Sequence, residues 1–134
     1  MTNIFGQYAP EYYAAGMSVI PLHYHDKRPI PKDWSRFHDT LPDPVQQQTW
    51  VKHNSSSNIG LVLGAQSGIA VIDIDTDDEA IKNAILSVLP HSPWERVGKK
   101  GMVLAYRYNG TPTFRIKDVN GNTLVEHLST RTQV

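Results

Sequence analysis

"NIGLVLGAQSGIAVIDIDTDDEA", residues 58–80, is an apolar stretch that ends by presenting two aspartates, Asp73 and Asp75, on either side of Ile74. Its second half reads as a strand, because Ile69, Ala70, Val71, Ile72 and Ile74 put apolar or β-branched side chains on both faces. Alternation sends Asp73 and Asp75 to the face of Ile69 and Val71, and Ala70, Ile72 and Ile74 to the other. The two carboxylates are then roughly 7 Å apart at Cα and emerge where a buried strand meets a helix start. Two readings of the pair stand side by side: solvated residues at a strand end, or oxygen ligands for a hard divalent ion such as Mg²⁺.

Downstream of the pair, Thr76 and Glu79 form a capping-box pattern. Ala80, Ile81, Ala84, Ile85, Val88 and Leu89 then recur at helical spacing as far as Pro90. Strand-like runs follow in "GMVLAYRY", "TFRIK" and "TLVEHLS", separated by "NGTP" and "DVNGN", whose Asn-Gly pairs predict hairpin turns. In "TLVEHLS" Leu124, Glu126 and Leu128 share a face, so one carboxylate stands between leucines and needs a counter-charge or a metal. If that strand neighbours the first, Asp73, Asp75 and Glu126 make a three-carboxylate cluster suited to phosphoryl or nucleotidyl transfer; otherwise Glu126 is an edge residue paired with a lysine.

Upstream, Ile4, Tyr8 and Tyr12 lie at helical spacing and Gly16 marks a stop, which predicts a helix over about Pro10–Ala15. "MSVIPL" reads as a short strand, and "HYHDKRPIPKDWSRF" as a proline-stiffened, turn-rich segment. Asp43 and Pro44 open a second helix to about Lys52, in which Trp50 is expected in the core. Gly64 and Gly68 allow a tight turn between the strands "IGLVLG" and "GIAVIDID". His23 and His25 alternate like strand ligands, yet no third ligand at suitable spacing completes a zinc site. Nor do the glycines of "GLVLGAQSG" match a P-loop or dinucleotide fingerprint, since they precede a strand and not a helix.

The chain has 134 residues, 40% of them hydrophobic, with 13 basic and 13 acidic residues and no cysteine. That excludes bulk disorder, a generic polycation, disulfides and thiolate metal sites. No apolar run approaches a membrane span and Met1-Thr2-Asn3 lacks a signal-peptide start, so a cytoplasmic protein is expected. Charge is nonetheless segregated. Residues 73–79 are acidic, whereas from Arg96 onward Arg96, Lys99, Lys100, Arg107, Arg115, Lys117 and Arg131 face only Asp118 and Glu126.

Taken in order, "AAGMSVIPL", "DKRPIPKDW", "NIGLVLGAQSGIAVIDID", "YRY" and "VEHLS" resemble the bifunctional primase-polymerase domain of the archaeo-eukaryotic primase superfamily, found in phage, prophage and plasmid replication proteins. The resemblance runs through nearly the whole chain. It implies an α+β fold with an RRM-like, mainly antiparallel sheet, flanking helices and an N-terminal αβ module. It also implies a DNA primase/polymerase using Mg²⁺ or Mn²⁺, a DNA template and primer, and dNTP or NTP.

By the same resemblance Asp73, Asp75 and Glu126 become the metal-binding catalytic acids. Lys99, Lys100 and Arg107 become candidates for neutralising the triphosphate. A histidine that contacts the nucleotide in such domains has no counterpart; Val103 stands near its place. Residues 1–134 are expected to form one primase-polymerase domain cut before its end, with a C-terminal helicase or other replication domain following. Two other classes compete: a catalytically degenerate nucleotide- or DNA-binding replication module, and another Asp-x-Asp metal enzyme, a nuclease or a glycosyltransferase.

Overall fold

A computed structural model describes residues 3–24 and 26–134; His25, half of the alternating histidine pair, lies outside the described residues. The chain divides into two compact units, Met1–Gly68 with Arg131–Val134, and Ile69–Thr130. Among the described residues three α-helices and mostly antiparallel strands make an α+β fold. None of these helices is long and apolar enough to cross a membrane.

In the first unit α1 spans Ile4–Ala14, six residues earlier at its start than the sequence predicts, and carries Pro10 inside. Its buried stripe is Phe5, Ala9 and Tyr13, while Tyr8 and Tyr12 stay largely exposed. Both sets share the same period, so spacing alone does not choose between them; burial of Phe5 and Tyr13 on either side of Pro10 holds the helix through it. Tyr13 is anchored by donating its hydroxyl to the Val19 carbonyl at 2.9 Å.

β1 (Val19–Leu22) pairs antiparallel with β2 (Asn58–Leu61), with Val19 opposite Leu61. Between them lie a 3₁₀ turn, Trp34–His38, and α2, Pro44–His53, whose N-cap Asp43 accepts the Gln46 N–H at 2.8 Å. Phe37 meets Trp50 edge-on at 5.8 Å in the core, as expected for Trp50. Gly64 and Gly68, at φ 124° and 73°, do make the turn after β2. The strands on its two sides do not form a hairpin, however: β2 pairs with β1, and the next strand belongs to the other sheet.

The second unit is a five-stranded antiparallel sheet. Its strands are β3 (Ile69–Ile74), β4 (Glu95–Val97), β5 (Met102–Arg107), β6 (Phe114–Lys117) and β7 (Thr123–Leu128), in the order β4-β5-β3-β7-β6. The sequence reading has no counterpart for β4. Of the two Asn-Gly turns, Asn120-Gly121 joins the paired strands β6 and β7. Asn109-Gly110 instead starts a connection between β5 and β6, which have two strands between them, so it is not a hairpin turn.

After β3 comes α3, Glu79–Val88, with Ile81, Ile85 and Leu89 half-buried and Val88 exposed. Its cap is Asp78, which accepts the Ile81 N–H at 3.1 Å; Thr76 instead accepts the Asp78 N–H at 3.2 Å. The Thr76–Glu79 capping box therefore does not form: the helix is capped two residues later than predicted, by Asp78, and Ile81 occupies the position where a box needs Glu or Gln. An aspartate just before the first turn competes better for its N–H groups than a threonine two residues earlier.

Candidate active site

β3 is the central strand, and its residues Val71–Ile74 are paired on both sides. Asp73 lies opposite Val103 of β5 and opposite Glu126 of β7. Directly opposed residues of an antiparallel pair share a face, with Cβ atoms about 5 Å apart. Two carboxylates expected from distant parts of the sequence are therefore brought side by side. The same row continues outward: Val103 lies opposite Arg96 of β4, and Glu126 opposite Arg115 of β6. Across one face the sheet reads Arg96, Val103, Asp73, Glu126, Arg115.

The opposite face holds the buried Ala70, Ile74 and Leu104. There Tyr106 donates its hydroxyl to the Pro90 carbonyl at 2.9 Å, which puts the end of α3 on the side away from the acids. Burial, and secondarily Glu95, raises the Tyr106 phenol above its ordinary range.

Like charges directly opposed in a sheet destabilise it. Arg115 offsets this, its Nη2 lying 3.2 Å from Glu126 Oε2, with Glu126 22% exposed. The predicted lysine partner is thus an arginine. A regular hairpin continued from Lys117 opposite Thr123 would set Arg115 against Val125; the bulge between Ile116 and Lys117 moves it onto Glu126.

Asp75 sits just past β3, its N–H bound to the Leu124 carbonyl at 2.8 Å, which continues the β3–β7 pairing. Lys100 Nζ is 3.9 Å from Asp75 Oδ1, between side chains 64% and 44% exposed, an interaction largely screened by water. Lys99 and Lys100 form the loop of the β4–β5 hairpin, closed by the Gly98 N–H on the Gly101 carbonyl at 2.8 Å. Lys99 is exposed on that loop. Arg107, opposite Ile69, shares the face of Asp73 but lies four positions along β5 from its row, about 13 Å by strand rise.

Among the described residues no three His, Cys, Asp or Glu side chains are grouped closely enough to hold one metal ion. Asp73 and Glu126 adjoin, and Asp75 stands two residues further along. The donor chemistry still fits a hard ion, since Mg²⁺ commonly takes one or two carboxylates and completes its shell with water and phosphate oxygens. Glu126 and Asp75 each already lie beside a cation, Arg115 and Lys100, with which a metal ion has to compete.

Arg115 and Arg96 stand in the sequence only as members of a basic segment, with no strand partner assigned, and Trp94 is not singled out there at all. Arg115 was hidden by the bulge. Arg96 and Trp94 were hidden because β4 is three residues long and entirely exposed, so it carries no apolar alternation. The sequence model of the family described as bifunctional DNA primase/polymerase, N-terminal, matches residues 9–133. No curated protein matches the chain.

Proposed function

The chain belongs to the bifunctional DNA primase/polymerase N-terminal family, and from that membership we propose that it carries out template-directed, divalent-metal-dependent nucleotidyl transfer on the Asp73 face of its five-stranded sheet. The observation that carries the reading is the cross-strand pairing of Asp73 with Glu126, with Asp75 two residues further along. Asp73 and Glu126, which adjoin, with Asp75 two residues along, would hold Mg²⁺ or Mn²⁺, both of which favour oxygen ligands. Bound there, the ion would supply Lewis acidity at the α-phosphate and to the attacking 3′-hydroxyl.

The chain's own residues do the rest. Arg115 offsets the repulsion between the opposed carboxylates before the ion arrives, and Lys99, Lys100 and Arg107 supply charge to the phosphates. The substrates are a DNA template and primer with dNTP or NTP, in replication of a phage, prophage or plasmid. A helicase or other replication domain is the partner in the full-length protein.

A second reading has one observation in its favour. Val103, directly opposite Asp73, offers neither a donor nor a charge where the resemblance leads one to expect a histidine. A module that binds nucleotide or DNA without catalysis fits that substitution.

One titration tests the first reading: Mn²⁺ and dNTP are added to wild type and to Asp73→Asn, followed by NMR or thermal shift. Metal-dependent nucleotide binding lost in the variant supports the site. Equal binding in both removes Asp73 from it, and no binding by wild type means that residues 1–134 hold no formed site. Binding by wild type without incorporation on a primed template selects the second reading.

A further inference from the structure

Trp94 and Arg96 stand beside the acid row and have no part in the reading above. Arg96 faces Val103, which faces Asp73, so all three project from one side of the sheet. Two strand spacings separate Arg96 from Asp73, about 10 Å at Cα. Val103 between them is short and apolar, and an arginine side chain can lie over it toward the carboxylate.

Unlike Arg115 and Lys100, Arg96 has no carboxylate in ion-pair range among the described residues. Glu95, its chain neighbour, projects from the opposite face. Trp94, two residues before Arg96 and therefore on its side, is 46% exposed. The Arg96 Cζ lies 6.0 Å from the centroid of its ring.

The indole is exposed but its backbone is fixed. The Trp94 carbonyl accepts the Ala105 N–H at 3.1 Å, the Trp94 N–H binds Ser92 Oγ at 3.2 Å, and the buried Ser92 hydroxyl in turn reaches the Ala105 carbonyl at 2.7 Å. A half-open indole on a fixed strand edge, next to a guanidinium free of carboxylate partners and in line with paired acids, is complementary to one kind of small molecule. That molecule has a flat π-face at one end and several negative charges at the other.

We propose that Trp94 and Arg96 form the recognition edge for the incoming nucleoside triphosphate, Trp94 stacking on the base and Arg96 binding phosphate oxygens. The assignment rests on the nucleotidyl-transfer reading of Asp73 and Glu126, and it gives β4 the task of selecting the substrate. Stacking on an indole tolerates every base, so this edge distinguishes nucleotides from bare polyphosphates and does not choose among bases. The planar guanidinium can take two phosphate oxygens at once, which a lysine ammonium cannot do.

The test is binding of dATP and of inorganic tripolyphosphate, each with Mn²⁺, by calorimetry and by tryptophan fluorescence. It compares wild type with Trp94→Ala, Trp94→Phe, Arg96→Ala and Asp73→Asn. Trp50 is buried and Trp34 packs on the first unit's core, so quenching by dATP reports on Trp94. Trp94→Ala is expected to weaken dATP about tenfold and leave tripolyphosphate unchanged. Trp94→Phe is expected to keep dATP affinity near wild type and lose the quench. Arg96→Ala is expected to weaken both ligands about tenfold or more.

Affinities for dATP in Trp94→Ala and Arg96→Ala equal to wild type, with Asp73→Asn abolishing binding, would overturn the recognition edge and leave the metal site standing. Weakening by Trp94→Ala with binding unchanged in Asp73→Asn would uphold the edge and remove the metal reading. No quench and no dATP binding by wild type would overturn both.

Discussion

At Gly101 a single methyl group has nowhere to go. An added Cβ would lie 1.7 Å from the Ile74 carbonyl oxygen, a backbone atom that cannot step aside as a flexible side chain can. The close approach lets the Lys99-Lys100 loop reach the end of β3, and so puts Lys100 beside Asp75. Gly101→Ala is expected to destabilise the protein by about 1–3 kcal/mol and weaken Mn²⁺-dependent nucleotide binding. Gly98→Ala, where the nearest atom is 3.8 Å away, should change neither; denaturant melts and calorimetry check the pair. The acids proposed for the site, Asp73, Asp75 and Glu126, stood out in the sequence, because an acid on an apolar strand face is conspicuous. The reason for Gly101 did not, since its neighbour is a carbonyl from a strand some thirty residues earlier.

Among the elements, α3 and the β6–β7 hairpin show how local chemistry fixes what the site needs. Asp78 caps α3, so Asp78→Ala is expected to destabilise by about 1 kcal/mol in a denaturant melt, and Thr76→Ala by less. In the hairpin loop Asp118 accepts the N–H groups of Asn122 and Asn120 at 2.9 and 2.8 Å. These bonds, the one from Asn122 foremost, hold its carboxyl below the ordinary range. A depressed folded-state pKa contributes stability that is present above the unfolded value and lost as pH falls through the folded one. In an NMR titration the Asp118 carboxyl should therefore protonate at lower pH than a model aspartate, and the hairpin resonances should shift with it. An unshifted carboxyl would mean that the loop is not closed in solution.

That loop matters to the site because the hairpin it closes carries the bulge that brings Arg115 to Glu126. Strands and hairpin were readable from alternation and the Asn-Gly pair. The bulge was not, since its one-residue shift depends on how β6 and β7 twist together and leaves no mark in composition.

For the molecule as a whole, the two units bury their apolar residues differently. The first gathers Phe5, Val19, Ile20, Phe37, Trp50 and Val62 into one cluster, whereas the second buries Ala70, Val71, Ile74 and Leu104 along its inner strands and leaves β4 and β6 exposed. Trp50→Ala is accordingly expected to destabilise the first unit by about 3–5 kcal/mol, measured by chemical denaturation. Amides of β6 should exchange with solvent faster than those of β3, read by hydrogen exchange.

Sequence by itself determined the helices with good caps, the central strand with its aspartates, the catalytic-acid candidates and the family. Each of these is written in local periodicity, in turn chemistry or in an ordered set of short motifs. Only the tertiary structure decided which acid meets which. It chose the buried stripe of α1 from two with equal period, sent β2 and β3 to separate sheets, set Asp73 opposite Glu126 and Glu126 against Arg115, and brought Trp94 and Arg96 to the same face. The physical reason is that strand pairing joins residues far apart in the chain through backbone hydrogen bonds, which every sequence offers alike. Register is then selected by the packing and twist of all five strands together, not by any one stretch.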